Sequence, residues 1–93
     1  GELTSVDGRM LIEEVNDLFG LEIEDEEVDS IGGWLFNRME GNIAKGKKVL
    51  HEGYVFEIAL TERLRVQRVH IYKNKIAVVD SAESASRPAQ DKR

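Results

Sequence analysis

The feature that most constrains this chain is a change of period near its middle. Up to about residue 41 the apolar residues recur at helical spacing, whereas from Lys48 onward they alternate with every second residue. A helical period buries one stripe of a cylinder, and a period of two buries one face of a pleated sheet. A chain of 93 residues with one block of each must therefore lay helices on a sheet. The expected fold class is α+β: a two-layer sandwich in the order β-α-α-β(3-4), with two helices against a mainly antiparallel sheet. The length leaves room for one core, assigned here to residues 1–80, with residues 81–93 as a tail. That tail has no apolar side chain larger than Ala or Pro and is expected to be disordered.

Val6-Asp7-Gly8-Arg9 reads as a short strand running into a turn. Leu11, Ile12, Val15, Leu18 and Phe19 then form one helical stripe, and Gly20 supplies the stop. An acidic loop follows, with Leu21, Ile23 and Val28 as its anchors. Asp29 or Ser30 caps a second helix that buries Ile31, Trp34, Leu35 and Met39 and ends at Gly41. Farther on, Tyr54, Phe56, Ile58 and Leu60 mark the buried side of a strand, and Thr61-Glu62-Arg63 marks a hairpin turn. In the next segment Leu64 and Val66 have one parity, Val69 and Ile71 the other. All four can face inward only if an extra residue intervenes, so a β-bulge is expected at Gln67-Arg68. Lys73-Asn74-Lys75 turns once more, and Ile76 to Val79 form a last edge strand.

Composition removes several classes of function. There is no cysteine, hence no disulfide framework, thiolate metal site or Cys nucleophile. No apolar run exceeds the four residues Ile76 to Val79, whereas a membrane-spanning helix needs about 20. The opening Gly1, with no signal segment after it, reads as the start of a piece cut from a longer chain. Residues 1–40 hold 12 acids against 2 bases and residues 41–80 hold 4 against 8, a division that suggests charge complementarity within the fold. With a net charge of −5 and no basic run interleaved with aromatics, no nucleic-acid partner is expected.

Candidate chemistry is sparse. His51 and His70 are the only imidazoles, and both are expected as surface residues of strands. Glu22, Glu24, Asp25, Glu26, Glu27 and Asp29 crowd one loop but lack the spacing that fixes a cation, so no metal is assigned. Glu13 and Asp17 read as a wet helix face, and no catalytic set is present. Gly32-Gly33, at the start of the second helix, is unusual because each Gly costs about 1 kcal/mol in a helix interior. Close packing of that turn on the sheet explains the pair, while exposed amides facing an anion make Gly32 and Gly33 weak cofactor-site candidates. Phe36, set round the helix from Ile31, is expected to be partly exposed and is the candidate partner-binding residue.

The order of these pieces carries a resemblance. Asp7-Gly8-Arg9-Met10 precedes Glu13-Glu14-Val15-Asn16 and then Phe19-Gly20-Leu21-Glu22-Ile23. Val28-Asp29-Ser30-Ile31-Gly32-Gly33 opens the second helix and Gly41-Asn42-Ile43 closes it. Gly53-Tyr54-Val55-Phe56-Glu57-Ile58 leads on to Val66-Gln67-Arg68-Val69-His70-Ile71. Over residues 4 to 72 this resembles the CorC/HlyC transporter-associated domain of hemolysin-C-like and CorC/CNNM-type magnesium and cobalt transport proteins, although Ala44 stands where that family usually has Pro. The resemblance implies a non-catalytic regulatory or assembly domain at the cytoplasmic face of the membrane. Its partners would be the CBS modules and transmembrane domain of the same parent protein, or a second copy as a homodimer. The fold is shared with a subdomain of FAD-linked oxidases, which makes FAD or adenine-nucleotide binding the alternative. No cofactor is assigned.

Overall fold

The computed structural model describes residues 2–74. The expected edge strand at 76–79 and the tail at 81–93 lie outside the described residues. Six elements follow in order: β1 (Thr4–Asp7), α1 (Ile12–Phe19), α2 (Ile31–Arg38), β2 (Lys48–His51), β3 (Tyr54–Glu62) and β4 (Arg65–Lys73). The strands form one antiparallel sheet in the order β1-β4-β3-β2. Both helices cover one face of it, giving the two-layer α+β sandwich that the change of period requires.

The core lies between the layers. Ile12 and Val15 of α1, with Ile31, Trp34 and Leu35 of α2, meet Val6, Phe56, Ile58, Val66, Val69 and Ile71 of the sheet. Leu21 and Ile23 close the side beneath the acidic loop. Alternation explains the sheet residues, because period two places Phe56 and Ile58 on one face and Val55 and Glu57 on the other. Caps fix the helix ends. Gly20 takes a left-handed φ of 69° and its amide donates to the Asn16 carbonyl, while the Ser30 hydroxyl accepts from the Gly33 amide at 3.1 Å. Ser30, not Asp29, is thus the cap of α2. That helix closes through Met39, Glu40 and Gly41, with positive φ at Glu40 and Gly41.

The expected bulge is present, with a partner. Register runs without a break from Tyr54↔Lys73 to Ile58↔Val69, then shifts at Leu60↔Arg68 and again at Thr61↔Val66. Ala59 is left without a pair on β3 and Gln67 without one on β4. The Gln67 irregularity lets Val66 and Val69, of opposite parity, both reach the core, and it turns the Gln67 carbonyl toward the Gly8 amide at 2.8 Å.

Four apolar expectations fail and a fifth, at Met39, holds only in part. Leu60 is exposed, because the shift at Ala59 turns it off the buried face. Leu64 is 74% exposed, because the hairpin turns at Arg63-Leu64, one residue later than expected, and it sits at the tip. Leu11 and Leu18 are exposed, because α1 is rolled so that only the Ile12–Val15–Phe19 side of its stripe meets the core. Met39 packs on the core only partly buried.

Candidate functional site

The start of α2 is held by main chain on every side. The Ile31 amide donates to the Met10 carbonyl at 2.8 Å and the Gly32 amide to the Gly8 carbonyl at 2.8 Å, while Ile12 donates back to Asp29 at 2.7 Å. With Gly33 donating to Ser30, the first three amides of the helix are all engaged within the fold. An anion at this end would have to displace one of them. The two glycines differ in their surroundings. A Cβ on Gly32 would lie 2.7 Å from the Gly8 carbonyl oxygen and 3.1 Å from that of Val66, both rigid backbone. A Cβ on Gly33 would meet the Ser30 and Val28 side chains at 3.0 and 3.1 Å. At Gly8 any Cβ would collide with the Val66 carbonyl. Gly8, Gly32 and the Gln67 bulge therefore form one backbone-to-backbone crossing of α2 over β1 and β4.

One turn along α2, Trp34 organises an aromatic cluster. Its ring meets Phe56 and His51 edge-on, each at 5.2 Å between centroids, and the Arg38 guanidinium lies 5.2 Å above it. His51 is thus a half-buried residue packed on the core side of β2, not a surface strand residue. Its Nε2 lies 3.1 Å from a Glu52 carboxylate oxygen, and that carboxylate accepts the Glu22 amide. The β2–β3 turn and the acidic loop are joined through this contact. His70 lies half-buried on the opposite face of the sheet, paired with Ser5 and Glu57.

Phe36 is half-buried, as expected. Its ring rests over the Gly41 turn, 3.3 Å from where a Cβ would stand there, and it is not among the half-buried side chains that pack against the core.

In the acidic loop the Asp25 carboxylate accepts the Glu27 and Val28 amides at 2.8 and 3.2 Å, shaping the turn ahead of α2. Among the described residues no three His, Cys, Asp or Glu side chains converge as a metal site. The expected complementarity between the two halves is not expressed as ion pairs: among the described residues the ion pair is Arg9–Asp7, between near neighbours, and the His51–Glu52 contact joins adjacent residues. No helix among the described residues is long and apolar enough to cross a membrane.

Residues 4–75, from the start of β1 to just past the end of β4, match the family model CorC_HlyC, described as the transporter associated domain. The chain belongs to this family. Over 70 residues it is 44% identical to the UPF0053 protein YugS of Bacillus subtilis, covering 73% of this chain and 16% of that protein. Over 60 residues it is 38% identical to the magnesium and cobalt efflux protein CorC of Salmonella typhimurium, covering 64% of this chain and 20% of that protein. A solved CorC_HlyC domain from Haemophilus ducreyi superposes with a TM-score of 0.71 at 25% identity, covering 78% of this chain and 97% of that one. The chain therefore spans a fifth or less of the length of these curated relatives. As a transporter associated domain it is one part of what such relatives contain, and its elements β1 to β4 fill the family match.

The Trp34–His51–Glu52–Glu22 chain of contacts was not visible in the sequence. His51 sits beside an Asp-free turn at Glu52-Gly53, and only the parity of β2 relative to Tyr54 could have placed its ring inward.

Proposed function

We propose that this domain is a non-catalytic regulatory or assembly module of a divalent-cation transport protein of the CorC or hemolysin-C type. It sits at the cytoplasmic face of the membrane and docks on the CBS modules or the transmembrane domain of its own parent chain. The observation that carries this reading is the pairing of family and proportion. The fold matches the transporter associated domain along its whole described length, yet relatives that include a magnesium and cobalt efflux protein are at least five times as long as the matched segment. A small unit added to a transporter acts through contact with the rest of it.

Phe36 is the proposed contact residue, because its ring stands off the core on the Gly41 turn and aromatic side chains are enriched at interfaces. The test is capture of the domain by the CBS pair of the same parent protein. Wild-type domain is retained at micromolar concentration. Phe36→Ala melts within a few degrees of wild type but binds at least tenfold more weakly. A variant that loses the about 3 to 5 kcal/mol typical of a core Phe, or a wild-type domain that fails to bind, contradicts the proposal.

A further inference from the structure

The outer face of the sheet, away from the helices, is divided into rows. Ser5, His70, Glu57 and Lys48 lie side by side across all four strands in a polar row. The neighbouring row, toward the end where β4 leaves the sheet, is apolar throughout. Leu50 pairs with Val55 and Val55 with Tyr72, while Leu3 precedes Thr4, whose pairing with Ile71 sets Leu3 level with Tyr72. Val55 and Tyr72 point outward because they alternate with the buried Phe56 and Ile71, and Leu50 because it follows Val49, which packs on the core. Leu3 and Leu50, at the two ends of the row, are 52% and 55% exposed. The Tyr72 hydroxyl donates to Glu57 at 3.0 Å, which holds the ring at the border between the rows and leaves the carboxylate further acceptor positions.

We propose that this face is the docking surface for a second copy of the chain, packed sheet to sheet about a two-fold axis that runs along the strands between β3 and β4. Such an axis reverses the strand order β1-β4-β3-β2 but keeps each row at its own height, so β4 lies over β3 of the second copy and β1 over β2. Like then meets like. In the apolar row Tyr72 lies over Val55 and Leu3 over Leu50, and in the polar row the His70 imidazole lies over the Glu57 carboxylate. By symmetry each contact occurs twice, which gives two imidazole–carboxylate pairs beside one apolar strip. This complementarity of the face with itself selects the occupant. An axis across the strands would lay the apolar row on itself only by carrying the polar row past the end of the sheet. Packed sheets cross at about 30°, and the residues of β3 and β4 stand nearest the axis, where that rotation displaces them least. At the edge Lys48 lies opposite Ser5, with its ammonium in water. The surface is on the far side of the sheet from α2 and Phe36, so the proposal is independent of the role given to the domain within its parent.

Sedimentation equilibrium of the 93-residue chain tests it. The patch is small, so the mass rises from one chain toward two between about 10 μM and 1 mM. Glu57→Lys and His70→Glu each weaken association about tenfold or more. Mixed in equal amounts, the two variants associate as tightly as wild type, because one contact then sets Lys against Glu and the other keeps Glu57 against His70. Leu50→Asp weakens association as well, and the amide shifts of Phe56, Ile58 and Val69 stay in place in all three variants. In a half-labelled wild-type sample, intermolecular nuclear Overhauser contacts join the Tyr72 ring of one copy to the Val55 methyls of the other. The mass of a single chain at about 1 mM overturns the proposal. So does a dimer that lacks those Overhauser contacts, and so does a mixture of the two folded charge variants that associates no better than either alone.

Discussion

The crossing of α2 over β1 and β4 and the apolar row on the outer face belong to the same sheet but are built of opposite materials. At the crossing, backbone meets backbone: the Gly32 amide reaches the Gly8 carbonyl, the Gly8 amide reaches the Gln67 carbonyl, and no methyl group fits at Gly8 or Gly32. On the outer face, side chains stand free and the backbone is already satisfied by the sheet. The crossing fixes the angle and height at which the helical layer sits, so a small change there is felt by the whole core. The outer face can change side chains with little effect on the fold, which makes it available for contacts.

This contrast predicts a steep gradient of mutational effects. Gly8→Ala has the largest, because the new methyl meets the Val66 carbonyl and neither backbone can retreat without opening the sheet; it lowers stability by more than about 3 kcal/mol, read as loss of cooperative unfolding or a large fall in denaturant midpoint. Gly32→Ala and Gly33→Ala then sharpen the comparison within two adjacent positions. Helix propensity favours both by about 1 kcal/mol. At Gly32 the clash with the rigid Gly8 carbonyl outweighs that gain and the variant loses about 1 to 3 kcal/mol. At Gly33 the nearest atoms are side-chain atoms of Ser30 and Val28 at 3.0 to 3.2 Å, farther off than the carbonyl at Gly32 and relieved by a shift of a few tenths of an ångström, and the stability stays within about 1 kcal/mol of wild type. Equal effects at the two positions would show that helix propensity, not the crossing, decides.

Much of the crossing was legible before the structure. Gly32-Gly33 is an anomaly in a helix, and the parity break between Val66 and Val69 is an anomaly in a strand. Both have the same cause, since the bulge that lets Val66 and Val69 face inward also brings the Gln67 carbonyl to Gly8, beneath Gly32. The outer row was not legible. Leu50, Val55 and Tyr72 fall on the wet parity of their strands, and only the register between strands, which one sequence does not state, lines them up. The exposed Leu18 and Leu60 failed for a related reason. A stripe or an alternation gives the apolar side of an element, but the roll of α1 and the shift at Ala59 are set by neighbours. Phe36 was placed correctly because it lies round the helix from Ile31, whereas His51 was misplaced because Trp34 on another element draws its ring inward.

The smallest predicted effect lies at the exposed end of β1, on the outer side of the sheet. The Arg9 side chain and amide, both hydrogen-bonded to Asp7, hold its carboxyl below the usual value of 3.8, and Arg68 adds a weaker attraction. A carboxylate whose folded pKa is depressed contributes stability above its unfolded pKa and loses it as the pH falls through the folded value. The contribution is therefore complete at neutral pH and fades only below about pH 3.8. Arg9→Ala should raise the Asp7 midpoint toward its usual value in a carboxyl-carbon NMR titration while leaving the neutral-pH melting temperature within about 1 °C of wild type, as expected for an exposed pair. A large loss of stability at neutral pH would mean that this corner resembles the crossing more than the outer face.

The central claim is that the domain acts on transport through contact with its parent protein. It is tested most directly by magnesium and cobalt flux through the full-length parent in vesicles, with residues 4–73 intact or deleted and membrane insertion verified to be equal. The account predicts that deletion changes the rate of flux at least severalfold, and that Phe36→Ala shifts it in the same direction. Identical flux with and without the domain, at equal amounts of inserted protein, would contradict it.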